Sequence, residues 1–388
     1  MDRVERVINN SAVQPRPYQQ RIVSKITQMY LGEYRHEHTG EHIPKISSAM
    51  IESPTGSGKT VMALLTAKVM QQQDPDLVVA WVAMRRNLLG QARRENERKG
   101  INVENVHWVS MYDNDPDVLK HRRDGKRIMM VVDEAQHDAA SSMSHLHNAI
   151  KPDLVLGMTA TPFRTDRMKL CFEKVIKDCG IHQLIQDGYL APYHHYTIPE
   201  WNAKTVADHY SAEPDRWGKS IFFFLNLDEC YQLSDIFHKR GVRHEVVRGG
   251  QQKTTDRQLE MFERGEIDCL INCMVLTEGF DCPSLKTAWI RDSSRGPTMQ
   301  MAGRAFRQHP EFSHKQVVQS KVTSWPFPRT AIPDEQYLWA GDDWRSLKVN
   351  PRLNDINLNA RKAIASVEVH MPEYIKVRKK PVRLRFNR

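Results

Sequence analysis

The chain has 388 residues, 40% of them apolar and 27% charged. That is close to the globular average and excludes wholesale disorder. At roughly 150 residues per domain the length suits two or three domains, each large enough to bury its own core. The formal charge of +9 is concentrated at one end: the last thirteen residues, Lys376 to Arg388, hold seven basic groups and no acid, which leaves +2 on the rest. A basic tail on a nearly balanced body suits a polyanionic partner, or else a solvated end. The longest unbroken apolar run, Leu77 to Met84, is eight residues, against the ~20 that a membrane span needs. The opening Met1-Asp2-Arg3-Val4-Glu5-Arg6 has no apolar stretch of signal-peptide length. The expectation is a cytoplasmic protein with no membrane partner. The six cysteines form no CxxC pair, which argues against zinc-ribbon and thioredoxin-like sites and for reduced thiols.

In chain order, short apolar, β-branched runs alternate with longer stretches of helical period. The first half reads as strands at Ala49-Met50-Ile51, Leu77–Met84, Val106–Ser110, Arg127–Val132 and Leu154–Met158, with helices at Thr60–Gln72, Asn87–Lys99 and Ser141–Ile150. The second half repeats the alternation. Strands are expected at Ser220–Leu225, Arg243–Val247, Asp268–Asn272 and Thr287–Ile290, and helices at Asp228–His238, Thr255–Glu263 and Thr298–Gln308. Near-continuous apolar strands separated by helices predict parallel sheets covered on both faces. The fold class is therefore α/β, in two lobes followed by a short basic C-terminal extension. The segment Gly188–Pro192, followed by His194, His195 and Pro199, reads as the link between lobes. After about residue 312 the pattern weakens. The expected organisation is an N-terminal extension (1–13), a first lobe (14–190), a second lobe (191–325) and an extension (326–388).

Ser53-Pro-Thr55-Gly56-Ser57-Gly58-Lys59-Thr60 follows a predicted strand and opens a predicted helix. Glycines at such a turn let backbone N–H groups converge on phosphate oxygens, and the helix start adds partial positive charge. In a P-loop the lysine reaches the β- and γ-phosphates and the Thr60 hydroxyl ligates Mg²⁺. Ser53 stands where the general pattern has glycine. Next, Asp133 and Glu134 end the buried run Met129–Val132, at the strand end where open α/β sheets bind ligands. Asp133 is placed to hold Mg²⁺, and Glu134 to orient and deprotonate an attacking water. Far downstream, Gln300, Gly303, Arg304 and Arg307 recur at three- and four-residue spacing, as on one helical face. Arginines there can stabilise charge on a departing γ-phosphoryl group.

These three pieces in this order resemble helicase superfamily 2, the DEAD/DEAH-like group. Arg16-Pro-Tyr-Gln19 resembles its adenine-reading element, Val82–Gln91 motif Ia, Trp108-Val-Ser110 motif Ib, and Gly157–Pro162 motif III. Ser220–Leu225 resembles motif IV and Leu276–Pro283 motif V. The resemblance spans about residues 14 to 310. It implies tandem RecA-like lobes, with ATP and Mg²⁺ held by Gln19, Thr55, Gly56, Ser57, Gly58, Lys59, Thr60 and Asp281. Gln300, Arg304 and Arg307 face them from the second lobe. It also implies nucleic-acid contacts at Arg86, Ser110 and Thr277, and coupling of ATP state to lobe closure by Thr159 and Thr161.

RPYQ, TGSGKT, TATPFR and TEGFD-x-P together look most like the DNA-directed branch of RadD, UvsW and the helicase subunit of type III restriction enzymes. Gln136 departs from the His or Asp usual there. No nuclease constellation follows Arg307, so a restriction subunit is not expected. The expected partner is DNA, single-stranded, duplex or branched, with RNA as the alternative. An ATP-switched binding module without processive unwinding is the third reading. His36, His38 and His42 read as a hydrated inserted loop rather than a metal site, because no cysteine or partner cluster accompanies them. Trp325, Phe327, Trp339 and Trp344 read as a packed cluster more readily than as base-stacking residues.

Overall fold

The computed structural model describes residues 2–84, 86–113, 116–137, 141–160, 172–273, 275–276 and 282–347, with backbone alone for 87, 137, 141–143 and 252. Met1–Arg345 form one compact unit, and it holds two sheets. The first is built from β1 (Ser48–Glu52), β2 (Val78–Ala83), β3 (Val106–Ser110), β4 (Ile128–Val132), β5 (Leu154–Thr159) and β6 (Lys174–Ile176), in the order β3-β2-β4-β5-β1-β6. Every pairing in it is parallel. The second sheet is built from β7 (Tyr193–Ile198), β8 (Ser220–Phe224), β9 (His244–Val247), β10 (Cys269–Cys273), β11 (Thr287–Ile290), β12 (Lys315–Ser320), β13 (Glu335–Trp339) and β14 (Trp344–Ser346). Its order is β14-β13-β7-β12-β11-β8-β10-β9.

Strand alternation decides where each core lies. In β2, Val79, Trp81 and Ala83 enter one apolar cluster, while Val78, Ala80 and Val82 enter the cluster on the opposite face. In the second sheet, Phe222 and Phe224 face one cluster, and Ile221 and Phe223 the other. The cluster holding Phe223 also takes in Ile51, Met129 and Leu156, so one continuous core joins the two lobes. Each such side chain, fully buried, contributes roughly 1.5–3 kcal/mol. The helix Arg3–Asn9 adds Val4 and Val7 to the same cluster.

Three elements differ from expectation. The segment expected to link the lobes contains β7, a central strand between β13 and β12. Its alternation is masked by His194 and His195. Buried His195 faces Gln319 Oε1 at 3.1 Å, and burial pushes its pKa down to about 4, so the ring stays neutral. Beyond residue 312, where the pattern weakens, β12 is buried throughout. Its polar side chains are satisfied inside the protein. Lys315 Nζ donates to Pro283 O (2.7 Å) and Leu285 O (2.5 Å), and Gln316 Oε1 accepts from Thr287 Oγ1 at 2.6 Å. β13 lies within 326–388 and pairs with β7. Finally, the helix predicted to reach Gln308 runs Arg295–Gly303, so Arg304 and Arg307 sit on the turn after it rather than on its face.

A candidate ATP cleft between two lobes

The turn after β1 is shaped by two glycines that adopt backbone other residues resist. Gly56 has φ +85° and Gly58 φ +80°. A Cβ on Gly58 would lie 2.4 Å from Gln19 Nε2, and one on Gly56 would lie 2.9 Å from Leu190 Cδ2. The loop is held from below: Tyr18 Oη and Gln19 Nε2 both donate to Ser57 O, at 2.6 and 2.7 Å. Arg16 N donates to Gln19 Oε1 at 2.8 Å, which fixes the amide's orientation. Beside it, the Arg16 guanidinium lies over the Tyr189 ring, 4.7 Å from its centroid.

Lys59 opens the helix Lys59–Gln73, and its Nζ donates to Ser53 O (3.1 Å) and Pro54 O (3.3 Å). Burial lowers its pKa, while the charges of Glu134 and Asp133 oppose that shift. Asp133 and Glu134 follow β4 directly. Glu134 N donates to Asp133 Oδ1 at 2.9 Å, and Glu134 holds a left-handed backbone at φ +51°. Such a conformation is costly for a residue with a Cβ and turns the carboxylate out of the strand direction. Gln136 Nε2 donates to Glu134 Oε2 at 2.9 Å, and Thr159 Oγ1 donates to Gln136 Oε1 at 2.6 Å. Thr159 ends β5, and its carbonyl accepts from Ser53 N at 3.0 Å, which closes a path from Glu134 back to the loop.

The second lobe completes the cleft. Arg304 and Arg307 line it together with Thr55, Gly56, Gly58, Lys59, Thr60, Asp133 and Glu134. Arg307 Nη1 donates to Gly56 O at 3.1 Å. A Cβ on Gly303 would lie 3.1 Å from Thr55 Cβ, so only a bare backbone lets these elements meet so closely. Leu88 and Gln91, one helical turn apart on Arg86–Arg98, also line the cleft and were not singled out by sequence. Arg16, Tyr18, Tyr189 and Leu190 were missed as well. Their proximity joins segments about 170 residues apart, and only the pairing of RPYQ with a glycine-rich loop hints at it.

Gln300 is half-buried on the same helix as Gly303 and is not among the residues lining the cleft. Arg86 is exposed at the start of its helix. Ser110 is buried at the end of β3, where its Oγ accepts from Tyr112 N at 3.3 Å. Thr161, Thr277 and Asp281 lie outside the described residues, as does the basic tail.

The residues present fit a triphosphate. The glycine cradle would close if either glycine carried a Cβ. The buried hydroxyls of Ser53 and Ser57 have no hydrogen-bond partner. A lysine and two arginines converge beside two carboxylates. Thr60 and Asp133 are the oxygen donors suited to a magnesium ion.

The family "Type III restriction enzyme, res subunit" matches residues 12–164, and "Helicase conserved C-terminal domain" matches residues 202–309. A 51.5 kDa protein of a Lactococcus phage (isolate 7-9) is 23% identical over 322 residues, 75% of this chain and 68% of its own. The IRC3 protein of Saccharomyces cerevisiae, named as an ATP-dependent helicase, is 23% identical over 239 residues, 51% of this chain but only 34% of its own length. Among solved structures, S. cerevisiae Dbp5 bound to RNA and ADP BeF3 superposes with a TM-score of 0.54 at 16% identity, covering 90% of this chain and 98% of that one. The type ISP restriction-modification enzyme LlaBIII bound to DNA gives 0.55 at 14% identity, covering 79% of this chain and 27% of that one. These structures share the fold of tandem RecA-like lobes.

Fold, cleft and domain matches together define a nucleic-acid-dependent ATP hydrolase. Within that class, the chain belongs to the superfamily 2 helicases, in their type III restriction-like branch.

Proposed function

We propose that the protein is a DNA helicase or translocase in which ATP hydrolysis between the lobes drives movement along a strand. One observation carries the reading: Arg307 of the second lobe reaches the Gly56 carbonyl of the first, 3.1 Å away, in a cleft also lined by Lys59, Asp133, Glu134 and Arg304. In this reading Lys59 leaves its two carbonyls to neutralise the β- and γ-phosphates. Thr60 and Asp133 hold Mg²⁺, which when bound neutralises phosphate charge. Glu134 orients and deprotonates water, held in place by Gln136. Arg304 and Arg307 stabilise the charge that develops during transfer, so the rate depends on the second lobe being seated. Gln136 and Thr159 report that state to the end of β5. Gln19 acts chiefly by holding the loop on which the phosphates sit.

DNA is favoured as the track because the type III restriction match covers the first lobe and because TATPFR and TEGFD-x-P accompany it. The test is ATP turnover with single-stranded, duplex and branched DNA and with RNA, each in turn. Stimulation by DNA is expected, and stimulation by RNA alone would overturn the assignment.

A further inference from the structure

Of the four aromatics in the C-terminal part of the second lobe, three are held in packing. Phe327 is fully buried and stacks on Phe306 with ring centroids 5.3 Å apart. Trp344 packs on Tyr196 and Trp217, and Trp339 on His209 and Trp344. Trp325 is different. It is half-buried between two exposed arginines, with Arg295 5.7 Å and Arg329 5.6 Å from its ring centroid. Its indole Nε1 donates to Thr330 Oγ1 at 3.0 Å, and Gln319 Nε2 donates to its carbonyl at 3.2 Å, so the ring is fixed in orientation.

The surroundings are electropositive. Arg291 and Lys321 lie at the ends of β11 and β12, beside Arg295 and Arg329. The nearby acid is Asp292, and its carboxylate is taken up by Ser324 N (2.6 Å), Ser324 Oγ (3.1 Å) and Thr323 Oγ1 (3.3 Å). Neither Arg295 nor Arg329 pairs with a carboxylate among the described residues. Two guanidinium groups without countercharge, held either side of a fixed indole, match a phosphodiester chain whose bases offer π faces. The patch lies at the C-terminal ends of parallel strands, where open α/β sheets bind ligands.

We infer that Trp325, Arg295 and Arg329 form a contact site for single-stranded nucleic acid, with the arginines on adjacent phosphates and a base against the indole. The inference rests on the nucleic-acid reading of the protein. It adds a site distinct from the ATP cleft and from Arg86, Ser110 and Thr277.

The test is oligonucleotide binding by anisotropy across a salt series, with the full chain, a fluorescent single strand and no nucleotide. Arg295→Gln with Arg329→Gln should flatten the log–log salt slope by about 1.4, from roughly 0.7 per phosphate contact on single strands. Trp325→Ala should weaken binding about 5- to 150-fold without changing the slope, and Trp325→Phe should recover part of the loss. ATP turnover without nucleic acid should be unchanged in all of them. Because both arginines are exposed, the double variant remains informative if the tryptophan variant folds poorly. Wild-type slope and affinity in the double variant would overturn this site alone, and that is also the result for a patch that instead takes an acidic protein. A wild-type protein that bound no oligonucleotide would overturn the nucleic-acid reading and the site with it.

Discussion

Thr159 donates its hydroxyl hydrogen to the amide oxygen of Gln136 at 2.6 Å, deep inside the first lobe. The same amide donates from its nitrogen to Glu134 at 2.9 Å. A glutamine is suited to this place because it donates and accepts at once without carrying charge. Gln136→Leu would leave the Thr159 hydroxyl buried and the Glu134 carboxylate unheld. Turnover should fall about 10²-fold, within the range of a misplaced general base, while nucleotide affinity stays near wild type. Gln136→Glu would set two carboxylates against each other. The proton affinity of Glu134 then rises, because a like charge disfavours its ionised form. The acid limb of the pH–rate profile should shift to higher pH, and activity lost near neutrality should return as pH is raised. An unshifted limb would mean that Glu134 is not the proton acceptor.

The lysine and arginine in the cleft should separate binding from chemistry. Lys59→Ala should abolish nucleotide binding or turnover. Arg307→Ala should keep nucleotide binding and reduce hydrolysis about 10³- to 10⁵-fold, the range of arginine fingers. Equilibrium binding of a fluorescent nucleotide, beside steady-state turnover, distinguishes the two.

Much of this cleft was legible in the sequence, for reasons that differ by residue. The phosphate loop and the acidic pair are local patterns, set by backbone geometry at a strand end, and they read directly. Strands Val106–Ser110 and Thr287–Ile290 were placed to the residue because apolar runs covered on both faces leave little ambiguity. β7 and β12 were not legible because their polar side chains answer one another across the sheet, as His195 answers Gln319. Polar residues read as loop until their partners are known. The end of the helix at Gly303 had a local signal, glycine in the last turn, but the spacing of Gln300, Arg304 and Arg307 pointed past it. Gln19 was identified, yet its contact with Ser57 O depends on a fold that brings two segments together.

Gly303 tests how closely the lobes must approach. A Cβ there would stand 3.1 Å from Thr55 Cβ and 3.3 Å from its Oγ1, tighter than ordinary contact. Overpacking of this kind costs about 1–3 kcal/mol. If that cost falls on seating the arginines, Gly303→Ala should slow turnover roughly 5- to 150-fold. Nucleotide affinity should change little, because Lys59 and Thr60 belong to the other lobe. An equal loss in affinity and rate would show that the contact serves the ground state.

Lys315 offers a pH signature. It is fully buried at the start of β12, and burial pushes its pKa from 10.5 down to about 8. The folded state therefore releases this proton at lower pH than the unfolded chain. Below about pH 8 both states hold it, and the full cost of a buried cation is present. Between about pH 8 and 10.5 only the unfolded chain holds it, so the group's contribution to stability rises with pH across that window. The total is at most about 3 kcal/mol. In Lys315→Met this rise should be missing, so urea midpoints of wild type and variant, compared across pH 7 to 10.5, should change relative to one another in favour of wild type. Parallel curves would show that the Lys315 ammonium is not disfavoured by its surroundings.

The basic tail should act on affinity rather than on chemistry. Seven cations and no acid between Lys376 and Arg388 add sequence-independent attraction to any polyphosphate, at roughly 0.9 in salt slope per contact on a duplex. If every charge met a phosphate, the slope would steepen by about 6, which sets the ceiling. Removing residues 376–388 should flatten the salt dependence of duplex binding and leave turnover without nucleic acid unchanged, since all the cleft residues lie before residue 308. A truncated protein with the full-length slope would assign the charge to solvation alone.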